Sequence, residues 1–515
     1  MKYPSTYSTS LIDMFRESDN TTSYSLFDNP WDLVNARTAK KYEDPKAWCN
    51  VFFDQVTSKI NERIFAPLFS DNGMGAPNAS IRILVAMSII KEGFQLSDET
   101  LIEKCDADIV TRRALGLMNL SDSCPSIDTY YLFRRRLCEY ETRSGEDLMA
   151  KCFEDATRKQ ALQFCVHGKM VRMDSTLVGS NIAWYSRYEI VHRTFVKEVP
   201  GYMDRLNPSL RTKAEAFIGE NAKQTVYTCD SAAVQKRFAE IGTLIFKIIL
   251  RLHLKDGLLY RVFNEQYTVS KFKVTPKDRK EISADSVQNP NDPDAEYRKK
   301  GDEKVKGFVV NATETFGQEG APSLVTSISV KGATSSDQGF LKDAVDGSER
   351  VTGGKVEEVY ADGGYQSQDN RDITPRTVFT GIQGRPGRFR YEERDGGVYI
   401  IDTITGVAHK GEYTKGGLIR IPDDREDAKY KWRYFTKANI ESMKARQDTD
   451  DLTGEERKRR PNVEELMFQF TFHTRNGKTR YRGLLKHKLW AYASGFWINM
   501  RKLARHLNKP VPCMA

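Results

Sequence analysis

The chain has 515 residues, of which 39% are hydrophobic, so we expect several globular units. It shows neither an apolar leader pattern nor an apolar stretch of the roughly 20 residues that span a bilayer, and we therefore expect a soluble, cytoplasmic protein without a membrane partner. Its eight cysteines and seven histidines show no zinc-ligand spacing, so any metal would be held by oxygen ligands, as Mg²⁺ and Mn²⁺ are. The net charge of +9 equals the excess of 14 Lys and Arg over 5 Asp and Glu in residues 451–515, which predicts a basic surface in the C-terminal segment.

The first third of the chain is predicted to be helical after an extended arm. Residues 1–46 are rich in Ser, Thr, Tyr and Asn and lack periodicity, whereas apolar residues recur every three or four positions over 47–160. Ser126 is expected to cap a helix that carries three consecutive arginines, Arg134, Arg135 and Arg136. Short helices followed by a basic helix are compatible with a helix-turn-helix DNA reader, although many purely structural domains also contain a basic helix.

An aspartate follows an apolar run in residues 161–183, which we expect to be the first part of an α/β core. The stretch MVRMDST alternates like a strand, and Asp174 is predicted to end it. Taken alone, Asp174 is explained as an ordinary strand terminator.

A second aspartate of this kind suggests a paired-carboxylate site. Residues 184–303 are mostly helical in pattern and close with a polar, Pro-punctuated segment, which predicts a helical insertion. Strand-like runs, a helix and another strand occupy residues 304–380, and that last strand runs into Asp362.

The remaining sequence divides into a β-rich part and a helical part. Residues 381–452 alternate and are turn-rich, which predicts a small β-rich insertion, and residues 453–515 are helical in pattern. Glu464 lies on a predicted helix with Arg460 on the same face. The basic segment also contains Tyr481, Trp490, Tyr492, Phe496 and Trp497. Such interleaving is typical of a polyanion-binding surface, but a helix with a solvated basic face and an aromatic core face explains the aromatics equally well.

Two aspartates on neighbouring strands and a glutamate on a following helix can converge on two divalent ions. Such ions, about 3.5–4 Å apart, activate an attacking oxygen and stabilise the leaving oxygen of a phosphodiester. Hard cations of this kind require anionic oxygen ligands, which carboxylates supply.

With these motifs the chain resembles the bacterial insertion-sequence transposases of the DDE type, which have a ribonuclease-H-like core and an N-terminal helical domain. The resemblance is carried by RMDSTLVGSNIAWYSR around Asp174, by YADGGY around Asp362 and by RPNVEELMFQF around Glu464. The D-x-G-Y pattern of the second motif and the R-x-x-x-E spacing from Arg460 match the family. With QNPNDPDAEYRKKGDEKVKGFVVNATET, RYRGLLKHK, INMRKL and the helical region 47–140, the match covers nearly the whole chain.

The resemblance implies that Asp174, Asp362 and Glu464 form a metal-binding catalytic triad. Arg460 would contact DNA near the scissile phosphate, and the arginine spacing selects Glu464 over Glu465. The basic residues Arg480, Arg482 and Lys486 would hold DNA mostly through its phosphates. The sequence departs from the family pattern at Arg457, where a tyrosine is common, and at Thr471, where a lysine is common.

The implied fold is α/β, a ribonuclease-H-like mixed sheet flanked by helices, with an all-α N-terminal domain, a helical insertion and a small β-rich insertion. The implied activity is a transposase that uses two Mg²⁺ ions, with Mn²⁺ as a substitute, on double-stranded DNA that comprises transposon ends and target. A homodimer on DNA and association with the bacterial nucleoid are further expectations. The alternatives are a metal-dependent nuclease without strand transfer and a transposase-derived DNA-binding protein.

Overall fold

A layer of helices precedes the sheet in the computed structural model, which describes residues 15–18, 34–70, 77–380, 388–423, 430–459, 461–472 and 474–509. The layer comprises α1 (Ala36–Glu43), α2 (Trp48–Gln55), α3 (Ile81–Phe94), α4 (Asp98–Ala107), α5 (Ile109–Leu115), α6 (Ile127–Ser144) and α7 (Leu148–Gln163). The hydroxyl of Ser126 accepts a hydrogen bond from the Thr129 amide, so the predicted cap of the arginine-bearing helix α6 is confirmed. Most of the predicted arm lies outside the described residues. Its last part is not extended but forms α1, because the Asn35 side chain caps this helix by accepting from the Thr38 amide, and Ser18 donates its hydroxyl to buried Glu62 at 2.8 Å.

A central strand leads directly into an inserted subdomain. β1 (Met170–Gly179) is followed by α8 (Arg187–Glu198), α9 (Pro208–Ile218), α10 (Ala222–Thr228), α11 (Ser231–Leu252), α12 (Gly257–Gln266) and a hairpin of β2 (Tyr267–Ser270) and β3 (Lys273–Pro276). The subdomain has its own apolar core, in which Phe195, Ile241, Ile245 and Phe263 are buried. This separate core allows the insertion to pack without interrupting the sheet.

The chain then returns to complete a mixed sheet. Its remaining elements are β4 (Glu296–Lys300), β5 (Glu303–Thr315), β6 (Val325–Gly332), α13 (Leu341–Thr352), β7 (Glu358–Ala361), α14 (Gln368–Arg371) and β8 (Arg376–Phe379). β1 lies in the middle, antiparallel to β5 and parallel to β7, and β8 adds in parallel beyond β7. The first half of β5 pairs with β4 and its second half pairs with β6. The fold is therefore mixed α/β, as expected.

Two features of the sheet differ from the sequence-based expectation. Asp174 does not end β1 but lies in its middle, because β5 is 13 residues long and continues to pair with β1 as far as Gly179. β4 begins at Glu296, inside the segment that we expected to belong to the helical insertion, because its residues pair with the start of β5.

A small β-rich unit follows the sheet. It contains β9 (Phe389–Arg394), β10 (Gly397–Asp402), β11 (Ala408–Lys410), β12 (Glu412–Tyr413), β13 (Ile419–Pro422), β14 (Trp432–Phe435) and also a helix, α15 (Lys437–Asp450). Residues of the strands and of α15 share one apolar core, which includes Tyr391, Ile400, Ile421, Phe435 and Met443.

The last helices connect the layers into one body. They are α16 (Gly454–Arg459), α17 (Pro461–Thr471) and α18 (Leu484–Leu507). α18 packs against both α3 and β6, and its aromatic residues Trp490, Tyr492 and Phe496 are buried in a core shared by the helical layer and the sheet. These aromatics therefore belong to a core face, which was one of the two readings of the basic segment. None of the described helices is both long and apolar enough to cross a membrane.

Candidate active site

Asp174 lies in β1, and Asp362 directly follows β7, the parallel strand beside β1. β1 and β7 pair from Met170 with Glu358 to Arg172 with Tyr360. Continuing this register by two residues places Asp174 opposite Asp362. Paired strands are separated by about 4.8 Å, so a continuation of this register beyond the end of β7 would bring the two carboxylates close together.

Both aspartates project toward the face of the sheet that α17 covers. Val171 and Met173 pack in the cluster of α13, on the opposite face. Because side chains alternate along a strand, Asp174 shares its face with Val178, which belongs to the core that contains α17. Asp362 is two residues beyond Tyr360 in the alternation of β7. The Tyr360 hydroxyl accepts a hydrogen bond at 2.8 Å from Arg459, the last residue of α16.

The two aspartates make the same local hydrogen bond. An Oδ1 atom of Asp174 accepts from the Ser175 amide at 2.8 Å, and Oδ1 of Asp362 accepts from the Gly363 amide at 2.7 Å. Both side chains are half-buried. These hydrogen bonds from backbone amides orient each carboxylate.

Glu464 lies in the first turn of the helix that covers this face. The stripe Val463, Leu466, Met467 and Phe470 is buried against the sheet, as a helical period requires, whereas Glu464 is exposed. Arg460, which the resemblance places near the scissile phosphate, lies outside the described residues.

The described residues contain no group of three or more His, Cys, Asp or Glu side chains arranged to hold a metal ion. The strands that lead to Asp174 and Asp362 are paired with each other, and the helix of Glu464 packs in the core to which Val178 of β1 belongs. The chemistry of these three side chains, all carboxylates, suits Mg²⁺.

A buried ion cluster, which we call the Glu314 cluster, ties the strands of the site to the helices above them. It consists of Arg172, Glu314 and Lys502. Arg172 Nε donates to Glu314 Oε1 at 2.6 Å, and Lys502 of α18 forms an ion pair with the other carboxylate oxygen. Arg172 Nη1 also donates to the Arg459 carbonyl at 2.9 Å. Arg172 precedes Asp174 by two residues, so the cluster links the strand of the first aspartate to the end of α16.

A second set of charged contacts fixes α16 on the edge of the sheet. The Tyr360 hydroxyl donates to Glu358 at 2.9 Å, and Arg376 of β8 bridges Glu358 and Glu456. Hydrogen bonds from Thr453 and Arg376 lower the pKa of Glu456 to about 2. These contacts hold the chain that enters α17.

Tyr365, the tyrosine of the D-x-G-Y motif, connects the two segments that carry the aspartates through a hydrogen bond to Asn311. Its hydroxyl accepts from Asn311 Nδ2 at 2.7 Å, and the same amide group donates to the Asp174 carbonyl at 3.1 Å. Asn311 and Tyr365 are both buried, and burial raises the pKa of the Tyr365 hydroxyl. The motif thus has a structural basis, because its tyrosine anchors the loop of Asp362 beneath the strand of Asp174.

The three arginines of α6 have different surroundings. Arg134 is packed inward, between Tyr130 and Tyr481, and pairs with Asp98 at 3.7 Å. Arg135 is exposed and lies 3.7 Å from Glu139. The half-buried Arg136 lies over the ring of Phe69. Arg135 therefore has the position most suited to a DNA contact.

The predicted basic residues of the C-terminal segment lie on an exposed edge. Arg480 contacts the Leu96 carbonyl and lies 3.6 Å from Glu92, and Arg482 donates to the Asn181 carbonyl at 2.7 Å. Lys486 is exposed near the start of α18. A cavity of about 400 Å³ adjoins this edge, and its lining adds two cations that the sequence analysis did not select, Arg475 and Lys478. Their signal in the sequence was the basic turn RNGKTR.

Arg134→Ala is expected to lower the free energy of unfolding by about 1–3 kcal/mol, because the change removes a largely buried ion pair and two ring contacts. Arg135→Ala is the matched control and should change it by less than about 0.5 kcal/mol. Urea unfolding of the two variants beside the native protein measures the difference. Equal midpoints for Arg134→Ala and the native protein would contradict the packing role of Arg134.

Comparison with known families gives a match in the N-terminal helical layer. Residues 39–136, which contain α2 to α5 and the first part of α6, match the family model described as Transposase domain (DUF772). No curated protein and no solved structure matches the chain. The family match supports a transposase role.

Proposed function

We propose that the chain is a DNA transposase of the DDE type, which cleaves transposon ends and joins them to target DNA through a ribonuclease-H-like core. The observation that supports the proposal is the parallel pairing of β1 with β7, whose register, if continued by two residues, would set Asp174 opposite Asp362. The transposase-domain match over residues 39–136 supports it independently.

In this proposal Asp174, Asp362 and Glu464 hold two Mg²⁺ ions, which Mn²⁺ can replace. When bound, such ions polarise the scissile phosphodiester and stabilise the charge that develops on it. The chain's own contribution is positional: the amides of Ser175 and Gly363 orient the aspartates, and the Glu314 cluster holds the end of α16, which leads into α17.

DNA is expected to lie along the basic edge that contains Arg475, Lys478, Arg480, Arg482 and Lys486, and to be held mainly through its phosphates. Arg135 on α6 is the candidate for discrimination of end DNA. Because two transposon ends must be cut together, a homodimer on DNA is part of the proposal.

Cleavage and joining of DNA that carries the sequences flanking the gene tests the proposal. The native protein and Asp174→Asn are incubated with that DNA in Mg²⁺, Mn²⁺ or EDTA. Metal-dependent joining by the native protein only is the expected result. Hydrolysis without joining would indicate a nuclease, and binding without metal-dependent cutting would indicate a DNA-binding derivative.

A further inference from the structure

The hairpin of β2 and β3 presents an aromatic ring at its tip. Ser270 pairs with Lys273, so the turn consists of only two residues, Lys271 and Phe272. The Phe272 side chain is 83% exposed, more than any other large hydrophobic residue among those described. An exposed ring of this size at the end of a projecting hairpin is available for contact with another molecule.

The backbone of this turn is unfavourable for the residues that occupy it. The φ angles of Lys271 and Phe272 are 49° and 63°, both in the left-handed region. Two-residue turns with positive φ at both positions favour Asn-Gly, because glycine adopts this conformation without steric cost and bulky residues do not. A phenylalanine here combines backbone strain with exposure of an apolar ring, and such outliers are often kept for function.

The surroundings of the ring are basic. Lys271 and Lys273 flank it directly and are exposed. Residues 267–281 contain five Lys and Arg against two Asp and Glu. This charge favours a polyanion over a lipid tail or an apolar protein pocket as the molecule that the tip contacts.

The base of the hairpin is firmly held. Tyr267 is buried, donates its hydroxyl to the Phe238 carbonyl at 2.7 Å and stacks on Phe263 at 5.4 Å between ring centroids. Arg187 of α8 donates to the Lys277 carbonyl at 2.9 Å. Because its base is held in this way, the hairpin can keep its tip in place when the tip contacts another molecule.

We propose that Phe272 is a wedge that inserts between adjacent bases of bound DNA, with Lys271 and Lys273 on the flanking phosphates. The inference rests on the proposed function in one respect, namely that the protein binds DNA. Apolar side chains inserted at a base step unstack it and kink the duplex. Stacking on an aromatic ring tolerates any sequence, so the wedge serves deformation of the DNA and not recognition of its bases.

Binding to two duplexes tests the wedge. The probes are 30-bp duplexes of one arbitrary sequence, fully paired or with a central two-nucleotide mismatch that opens the stack in advance. The full-length native protein is expected to bind the mismatched duplex about tenfold more tightly, because the mismatch spares the cost of unstacking. Phe272→Gly should bind both duplexes equally, whereas Phe272→Trp should keep the preference.

Two controls distinguish loss of the wedge from loss of folding and from the removal of any exposed aromatic residue. Glycine suits the left-handed backbone at this position, so Phe272→Gly should unfold at a temperature no lower than that of the native protein. Tyr227→Ala removes another aromatic residue of the same subdomain, 77% exposed on α10, and should leave the preference unchanged.

The outcomes distinguish this inference from the proposed function. If Phe272→Gly keeps the preference for the mismatched duplex, or if the native protein binds both duplexes equally, the wedge is refuted while DNA binding stands. If the native protein binds neither duplex, the wedge is refuted, and the proposed function is decided separately by cleavage and joining of the flanking-sequence DNA.

Discussion

Asp362→Asn is expected to lower the rate of metal-dependent DNA cleavage by a factor of about 10³ or more, while the affinity for DNA remains within a few-fold of that of the native protein. The amide keeps the size of the side chain and can still accept a hydrogen bond from Gly363. It removes one of the anionic oxygens, and the metal ions are expected to supply several kcal/mol of transition-state stabilisation, at about 1.4 kcal/mol per factor of ten. Gel assays of cleavage and of binding, run on the same DNA, measure both effects.

Asp369→Asn is the matched control for this change. Asp369 lies only a short distance along the chain, on α14, and is exposed. The Asp369→Asn variant should cleave DNA at the native rate. Cleavage by Asp362→Asn at more than about a tenth of the native rate would refute the assignment of Asp362 as a ligand.

Glu314→Gln is expected to lower the free energy of unfolding by about 3–5 kcal/mol, because it leaves Arg172 and Lys502 without their shared counter-charge in a buried setting. The Glu314 side chain is only 1% exposed, and those of Arg172 and Lys502 are 12% and 16% exposed. A large shift of the urea midpoint to lower concentration is the expected observation.

Glu303→Gln provides the comparison on the same strand, since Glu303 is exposed and its substitution should shift the midpoint little. Cleavage by Glu314→Gln should also fall at temperatures where the variant remains folded, because the Glu314 cluster holds the end of α16, which leads into α17. Native-like stability of Glu314→Gln would contradict a stabilising role for the cluster.

The strands of the candidate site could be predicted because their signal is local. Apolar runs that lead into Asp174 and Asp362 predicted two neighbouring strands, and the structure has β1 and β7 adjacent and parallel. The length of β1 was not predictable from its own residues. Asp174 and Ser175 look like a strand end, but pairing with the distant β5 extends β1 to Gly179.

Other features depend on contacts that no local pattern contains. The role of Arg134 depends on Tyr481, which is far away in the chain and stacks on it only in the folded protein. The hairpin of β2 and β3 was not predicted, because its turn, Lys271 and Phe272, lacks the glycine or asparagine that is typical of such turns. The Glu314 cluster joins three segments that are adjacent only in space.

The position of α18 has a consequence for synthesis of the protein. This helix, residues 484–507, supplies Trp490 and Phe496 to the same core that buries Phe52 and Met87 of the N-terminal helices. A chain emerging from the ribosome cannot complete that core until α18 has been synthesised. The faces of α2 and α3 that pack on α18 stay exposed until then, which favours aggregation of incomplete chains.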